Sequence, residues 1–95
     1  MDSVLSLLGL IYKAKKMYLG ENNLNNMSDV KYLFVASDAS DKTKERYFKK
    51  CEFYSIPCNT TYTYEQLSKA LGKGNVKVIG ITDPGFTKTI LNKLK

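Results

Sequence analysis

Apolar residues follow one another along the chain in two patterns. In four segments they recur at every third or fourth position, which predicts amphipathic helices over about 4–16, 42–53, 64–71 and 84–94. Between these helices, short strands are predicted at 17–19, 32–36, 58–62 and 76–82. The run 32–36 is apolar at every position, so we expect it to be a central strand covered on both faces.

Capping residues stand at the boundaries of these segments. Ser3 precedes the first helix, Asp83 precedes the last, and Thr63 is followed three residues later by a glutamine in a capping-box pattern. Gly72 stands where a glycine commonly ends a helix. A further short helix is predicted over Glu21–Met27, although its four asparagines are poor residues for a helix interior.

Helices and strands therefore alternate along the whole chain. This order predicts an α/β fold in which helices cover both faces of a sheet. We expect a three-layer α/β/α sandwich with about four strands in a mixed sheet and five helices. The 95 residues contain no linker or repeat, so a single domain is expected over residues 1–95.

The charge balance of the chain is basic. Fifteen Lys and Arg residues against nine Asp and Glu residues give a formal net charge of +6. This excess favours a polyanionic partner, most simply a nucleic acid. The basic segment 42–50 has a second interpretation, because acidic residues partly offset its lysines, as on an ordinary solvated helix face.

The residue types that are missing limit the chemistry. The chain has no histidine, which excludes Ser-His and Cys-His nucleophile pairs. Two cysteines alone cannot complete a structural zinc site. The carboxylates are scattered, and Gly72-Lys73-Gly74 is too short for a phosphate-binding loop. We therefore expect no enzymatic activity, no cofactor and no metal.

Targeting and redox signals are sparse as well. The longest apolar stretch, Leu7–Tyr12, is far shorter than the ~20 residues that span a bilayer, and no secretory signal opens the chain. A cytoplasmic protein with no membrane partner is expected. In that reducing compartment Cys51 and Cys58 are predicted to be small buried hydrophobic residues, with a transient disulfide between them as the alternative.

Three polar junctions are candidate binding loops, because sites in α/β sandwiches gather at the loops on one end of the sheet. They are Gly20–Asn23, Ser37–Asp41 and Gly72–Val76. The amides and backbone N–H groups after Gly20 suit phosphates and base edges, but they also suit the cap of a plain surface helix. The segment Gly72–Val76 is either a mobile contact loop or a simple helix-to-strand turn.

Several segments resemble the motifs of one family, in the right order along the chain. The strand and turn Leu33–Ser40, the segment Cys51–Pro57 and the helix and turn Tyr64–Lys73 are similar to motifs of the kink-turn RNA-binding ribosomal proteins. This is the superfamily of archaeal L-seven-Ae and eukaryal L-thirty-e. Leu7–Leu10 and Ile81–Phe86 resemble its bacterial YlxQ-like branch in particular. The resemblance covers nearly the whole chain.

The resemblance implies RNA binding without catalysis. Members of the superfamily bind the kink-turn, a sharply bent duplex with tandem sheared G·A pairs, and place the N-terminus of the second helix in its opened major groove. On this sequence the RNA-contacting residues would be Lys16 at a phosphate, and Gly20, Glu21, Asn22, Asn23 and Asn26 in the groove. An extruded nucleotide would be held by Ser40, Lys44, Lys73, Gly74, Asn75 and Val76.

The chain departs from the superfamily pattern at three positions. Asn23 stands where glutamate is commonest, Asn26 where lysine is, and Ser68 where glycine is. The second helix is also shorter than in typical relatives. Since a good bidentate base contact is worth ~1–3 kcal/mol, we expect RNA readout to be reduced rather than abolished.

The expected function is therefore binding of structured RNA, kink-turn-like or other, by a monomer, with the ribosome as a candidate site of attachment. The alternative is a protein-interaction module that retains the fold with a decayed RNA motif. A third class, a small α/β enzyme acting on phosphorylated substrates, rests only on the fold and on Gly72–Asn75.

Overall fold

Four strands form one mixed sheet through the middle of the molecule. The computed structural model describes residues 2–94, in which β1 is Met17–Leu19, β2 is Tyr32–Val35, β3 is Cys58–Asn59 and β4 is Val78–Ile81. The strand order across the sheet is β1-β4-β2-β3, with β4 antiparallel to both neighbours and β2 parallel to β3. All residues of β2 and β4 are buried, so both faces of the central strands are covered, as predicted.

Four α-helices surround this sheet: α1 (Ser3–Lys13), α2 (Asp41–Tyr54), α3 (Tyr64–Leu71) and α4 (Pro84–Lys93). Helix α1 packs against α3 and α4, whereas α2 packs against β2. The predicted α/β class with a mixed four-stranded sheet is thus confirmed. The helix count differs, because residues 2–94 contain four α-helices where five were expected.

The predicted helix over Glu21–Met27 is wrong. Two short 3₁₀ turns take its place, Gly20–Asn23 and Met27–Asp29. In an α-helix the Asn22 carbonyl would accept the backbone N–H of Asn26. Here that carbonyl accepts the Asn26 side-chain amide at 2.8 Å, and the Asn26 N–H donates to the Asn23 carbonyl at 3.0 Å. The asparagine side chains compete for the backbone partners that an α-helix would use.

Several other boundaries differ from expectation, and α1 ends at Lys13 rather than near residue 16. Asp2 rather than Ser3 caps α1, with its Oδ1 accepting a backbone N–H of the first turn at 2.7 Å. The strand predicted over 58–62 ends at Asn59, because the Asn59 side chain accepts the N–H two residues on at 2.8 Å and turns the chain. The strand predicted from 76 begins only at Val78. The predicted caps are confirmed at Thr63, Gly72 and Asp83.

The hydrophobic core packs the helices against the sheet. Its fully buried side chains include Leu8 and Ile11 of α1, Leu67 of α3 and Ile90 of α4. The apolar stripe predicted for α4 is buried only in part, since its last two leucines are 42% and 39% exposed. Within the described residues, no helix has the length and apolar character needed to cross a membrane.

Candidate nucleic-acid interface

Three polar loops meet at one end of the sheet. Strands β1 and β2 both end where β4 begins, because Leu19 pairs with Ile79 and Val35 pairs with Val78. The first 3₁₀ turn (Gly20–Asn23, the Gly20 turn) follows β1, and residues 36–40 (the Ser37 turn) follow β2. Residues 72–77 (the Gly72 loop) lead into β4. The topology therefore brings the three predicted junctions together.

The Gly20 turn is anchored from inside the molecule. Gly20 has a positive φ of 54°, a conformation that favours glycine. Its carbonyl accepts two hydrogen bonds, from the Tyr47 hydroxyl of α2 at 3.1 Å and from the Asn23 side-chain amide at 2.9 Å. Burial raises the pKa of Tyr47, so its hydroxyl stays protonated and able to donate.

Asn23 is the largest departure from the expected site. Its side chain, expected at a guanine edge, is completely buried, and its amide also donates to the Tyr18 carbonyl at 3.3 Å. In this conformation Asn23 faces the sheet and presents no group to a ligand on the surface. It positions the Gly20 turn rather than lining the interface.

Gly80 of β4 makes room for this buried asparagine. A Cβ atom at position 80 would lie only 1.8 Å from Asn23 Oδ1 and 3.0 Å from Val30 Cγ2. Asn23 Oδ1 accepts no conventional hydrogen bond among the described residues. It faces the side of Gly80 where other residues carry Cβ, so the group beside it is the Gly80 Cα–H. The position of the Gly20 turn thus depends on a glycine in the central sheet, 60 residues further along the chain.

The remaining residues of the Gly20 turn face outward. Glu21 and Asn22 are exposed, which leaves a carboxylate and an amide available to a ligand. Asn26 is half-buried, and its amide is engaged with the Asn22 carbonyl. Asn22 is therefore the best placed of the predicted base-reading amides.

The Gly72 loop brings Lys73 beside this turn. Asn22 and Lys73 line the same cavity of about 280 Å³, although they come from different loops. Lys73 and Gly74 are exposed, whereas the Val76 side chain is 3% exposed and belongs to the core. The Val76 N–H donates to the Ser68 hydroxyl at 3.0 Å, so the serine that replaces the superfamily's glycine holds this loop.

A second cavity of about 320 Å³ joins the Ser37 turn to the Gly72 loop. Tyr64 lies at its centre: its N–H donates to Asp38 Oδ1 at 2.8 Å, and its hydroxyl donates to Asn75 Oδ1 at 2.9 Å. The Lys77 ammonium lies 6.0 Å from the centroid of the Tyr64 ring. Sequence reasoning included Asp38 in the candidate loop Ser37–Asp41 but missed Tyr64 and Lys77, because only the folded loops bring them to this surface.

Of the two RNA contacts predicted at α2, Ser40 caps the helix and Lys44 lies on its surface. Ser40 caps α2, since its hydroxyl accepts the Thr43 N–H at 3.2 Å. Lys44 is half-buried and lies three residues before Tyr47, on the same helix face. Because the Tyr47 hydroxyl contacts Gly20, this face of α2 is directed towards the Gly20 turn.

Lys16 does not line the cavity that contains Asn22 and Lys73. Its carbonyl accepts the Thr82 N–H at 3.1 Å, and the next residue, Met17, pairs with Ile81. The Lys16 backbone therefore lies at the far end of β1 from the Gly20 turn. Lys15, which sequence reasoning left out, lines the cavity that contains Asn22 and Lys73.

Comparison with known proteins supplies the family. A protein from Enterococcus faecium named RNA-binding protein YlxQ is 35% identical over 91 residues, which is 92% of this chain and 86% of the relative. The chain belongs to the YlxQ family. A second YlxQ, from Bacillus subtilis (strain 168), is 29% identical over 92 residues, covering 93% of this chain and 91% of the relative. No family model matches the chain.

Solved structures agree with membership of the YlxQ family. A protein of unknown function from Bacillus halodurans C superimposes with a TM-score of 0.90 at 31% identity, covering 99% of this chain and 98% of that one. The Giardia lamblia 15.5kD RNA binding protein superimposes with a TM-score of 0.77 at 16% identity, covering 96% of this chain and 81% of that one. At this identity the likeness is one of fold alone. The predicted YlxQ branch of the L-seven-Ae-like superfamily is confirmed.

The outer face of α2 in this YlxQ protein is a separate basic surface. Its cations are Lys42, Arg46, Lys49 and Lys50. Glu45 forms an ion pair with Lys49 at 3.2 Å, and both side chains are mostly exposed, as on a solvated helix face. This surface therefore adds positive charge to the molecule without the convergent polar groups that the three loops share.

The two cysteines of this YlxQ protein are free thiols. Cys51 is buried, as predicted, and Cys58 is half-buried. A hydrogen bond with Cys58, together with burial, raises the pKa of Cys51, so this thiol stays protonated. Within residues 2–94 there is no cluster of three His, Cys, Asp or Glu side chains that could hold a metal ion.

Proposed function

We propose that this YlxQ family member binds structured RNA, with a kink-turn-type internal loop as its preferred target, through the Gly20 turn and the Gly72 loop. The observation that carries the proposal is the shared cavity of Asn22 and Lys73, which places an amide and an ammonium at one end of the sheet. The two relatives named RNA-binding protein YlxQ support RNA as the ligand class.

Each part of the interface has a distinct physical task in this proposal. Lys73 and Lys44 neutralise phosphates, and the release of counterions that follows makes binding salt-dependent. The Asn22 amide both donates and accepts, so it can form two hydrogen bonds with a base edge. Asn23 and Tyr47 fix the Gly20 carbonyl from inside, which limits the conformational entropy lost on binding.

The departures from the superfamily pattern determine how strongly we expect this protein to discriminate between RNA sequences. With Asn23 buried, base readout falls to Asn22 and Glu21. Asn26 supplies no positive charge and its amide is engaged with the backbone. We therefore expect weaker discrimination between RNA sequences than a full set of bidentate contacts would give, while the phosphate contacts keep the general affinity.

A titration of the protein with a kink-turn duplex and with a duplex whose G·A pairs are replaced by Watson–Crick pairs tests this function. The kink-turn duplex should bind more tightly, and Asn22→Ala should remove most of the difference but leave the salt-dependent background. Asn22 is the proper target because its side chain is exposed, whereas changing Asn23 would disturb the fold. Equal wild-type affinity for both duplexes would overturn the kink-turn preference.

The ribosome is the candidate cellular source of such RNA. Cosedimentation of the protein with ribosomal subunits in a gradient, at low and at high salt, tests that attachment. Migration at the top of the gradient at both salt concentrations would contradict it.

A protein-interaction module is the second candidate function. The observation in its favour is an exposed aromatic pair at the end of α2. Phe53 is 79% exposed, and its ring lies edge-on to that of Tyr54, with the two ring centroids 4.9 Å apart. Affinity capture from a lysate with and without nuclease separates the two functions, because only an RNA-mediated contact is lost on nuclease treatment. Binding of a protein that Phe53→Ser abolishes would support this second function.

A further inference from the structure

The cavity beside the Gly20 turn has a composition of its own. Besides Asn22 and Lys73 it is lined by Tyr12, Lys15 and Tyr18, with two apolar residues of β1 completing it. We call it the Tyr12 cleft. It lies along β1, the edge strand of the sheet, and its volume of about 280 Å³ is near the lower end of the sizes that hold small ligands.

The Tyr12 cleft is separate from the cavity between the Ser37 turn and the Gly72 loop. The two have no lining residue in common: the second cavity is formed by Asp38, Ala39, Tyr64, Asn75 and Lys77. The resemblance to kink-turn proteins places the extruded nucleotide near the Ser37 turn and the Gly72 loop. The proposed function uses Asn22 and Lys73 of this cleft, but it assigns no role to Tyr12, Lys15 or Tyr18.

The residues of this cleft are held in place by backbone contacts. Tyr12 and Tyr18 are half-buried, so each side chain is partly packed against the protein and partly accessible to a ligand. The Tyr18 carbonyl accepts the buried Asn23 amide, and the Lys73 N–H donates to the Ser68 carbonyl at the end of α3 at 3.1 Å. The cleft is thus largely formed before any ligand arrives.

Lys15 occupies a position that favours glycine. Its φ is +58°, and it follows the C-terminal cap of α1 in a Schellman arrangement: the Lys15 N–H donates to the Tyr12 carbonyl and the Lys16 N–H donates to the Ile11 carbonyl. A lysine here is conformationally unfavourable relative to glycine, but it contributes a cationic side chain to the lining of the cleft.

We propose that the Tyr12 cleft binds one unpaired nucleotide of the RNA, with its base stacked on the tyrosines and its phosphate between Lys15 and Lys73. Flat aromatic faces flanked by cations are the combination that single-stranded nucleic acids require. The Asn22 amide at the edge of the cleft can hydrogen-bond the base. This inference rests on the proposed RNA binding, to which it adds a second subsite, but it does not depend on the kink-turn preference.

A short single-stranded RNA tests the cleft by itself. Hexauridylate contains no duplex and no G·A pair, so it cannot use the kink-turn mode. In a titration followed by nuclear magnetic resonance, we expect the amide signals of Tyr12, Lys15 and Lys73 to shift together. Shifts confined to the Ser37 turn or to α2, or no shift at all, would overturn the proposal.

Matched variants separate stacking and charge from a change in the fold. Tyr12→Leu removes the flat ring and should weaken hexauridylate binding at least about fivefold, the lower limit for loss of one base stack, whereas Tyr12→Phe should bind like the wild type. Lys15→Gly should weaken binding without lowering the thermal midpoint, because it relieves the positive φ. Lys88→Gln, on exposed α4 surface, is the control for loss of one charge.

The outcomes distinguish this inference from the proposed function. If the kink-turn duplex is preferred but the Tyr12→Leu and Lys15→Gly variants bind hexauridylate like the wild type, the cleft proposal fails and the kink-turn proposal stands. If hexauridylate binds in the cleft but both duplexes bind equally, the cleft proposal stands and the kink-turn preference fails.

Discussion

The Gly20 turn and the Gly72 loop border the same cavity, but they are held in place in different ways. The Gly20 turn is fixed from below by the buried Asn23 amide and by the Tyr47 hydroxyl. The Gly72 loop is held by the Val76 N–H bond to the Ser68 hydroxyl and, at the surface, by Asn75, which accepts the exposed Tyr64 hydroxyl. The difference indicates that the buried anchoring contacts of the Gly20 turn cannot be removed without a loss of fold stability, whereas the exposed contact between Tyr64 and Asn75 can be removed with little loss.

The largest effect is expected for Asn23→Ala. This change removes the donor to the Tyr18 carbonyl and one of two donors to the Gly20 carbonyl, and it leaves a void beside Gly80. We expect a loss of about 2–4 kcal/mol in the free energy of unfolding, from the lost buried hydrogen bonds and the cavity together. Denaturant unfolding measures it, with Asn22→Ala as the control because Asn22 is exposed. Equal stability of the two variants would contradict the anchoring role of Asn23.

Gly80→Ala is expected to act on the same contact from the opposite side. Its new methyl group would meet Asn23 Oδ1 at 1.8 Å, and overpacking of this kind costs about 1–3 kcal/mol. A double-mutant cycle sharpens the test, since Asn23→Ala removes the atom that clashes. The free-energy losses of the two changes should therefore sum to more than the loss of the double variant. Strict additivity would show that the two residues do not interact.

Tyr47→Phe is expected to have a smaller effect. It removes one donor to the Gly20 carbonyl while the Asn23 amide remains, so we expect a loss of about 0.5–1.5 kcal/mol. Amide hydrogen exchange of residues 20–23 should increase more than that of β4 if the tyrosine anchors the turn. Uniform changes across the sheet would instead indicate a general loss of packing.

The alkaline pH dependence offers a further test of Tyr47. Burial raises its pKa in the folded protein above that in the unfolded chain, so the folded state retains the proton more tightly. Its contribution to stability is complete below the unfolded pKa of about 10 and is lost as the pH rises through the higher folded value. As the pH rises above about 10, the free energy of unfolding of the Tyr47→Phe variant should therefore fall less than that of the wild type. Parallel curves of stability against pH for the two proteins would contradict the prediction.

Tyr64→Phe is expected to have the smallest effect on stability. Its hydrogen bond to Asn75 is exposed, so water replaces it and the loss should be below about 0.5–1 kcal/mol. RNA affinity should fall more than stability does, because the Gly72 loop loses the contact that orients it. A large fall in the thermal midpoint would show that this loop is as firmly integrated as the Gly20 turn.

Local signals in the sequence predicted much of the fold. The capping box at Thr63, the glycine at position 72 and the Asp83-Pro84 pair lie within one turn of the helix ends that they define. The apolar run of β2 likewise required no knowledge of its partners. The helix predicted over Glu21–Met27 failed because asparagine side chains took the backbone carbonyls, a competition that periodicity does not report.

The candidate site was less predictable because its geometry depends on distant residues. Nothing near Asn23 indicates that it is buried, since the space for it comes from Gly80 on another strand. That Lys15 rather than Lys16 lines the cleft has a local cause: Lys15 takes a left-handed conformation just after the α1 cap, and the carbonyl of Lys16 then accepts the Thr82 N–H. Tyr64 joins the interface only after the two loops fold against α3.

The outer strands of the sheet are very short, which has a consequence for behaviour in concentrated solution. At the two edges, β1 has three residues and β3 has two, so few unpaired backbone groups are open to a strand from another molecule. Edge-to-edge growth into aggregates needs a longer template. The short edges and the mutual repulsion of molecules that each carry a net charge of +6 both disfavour association through the sheet.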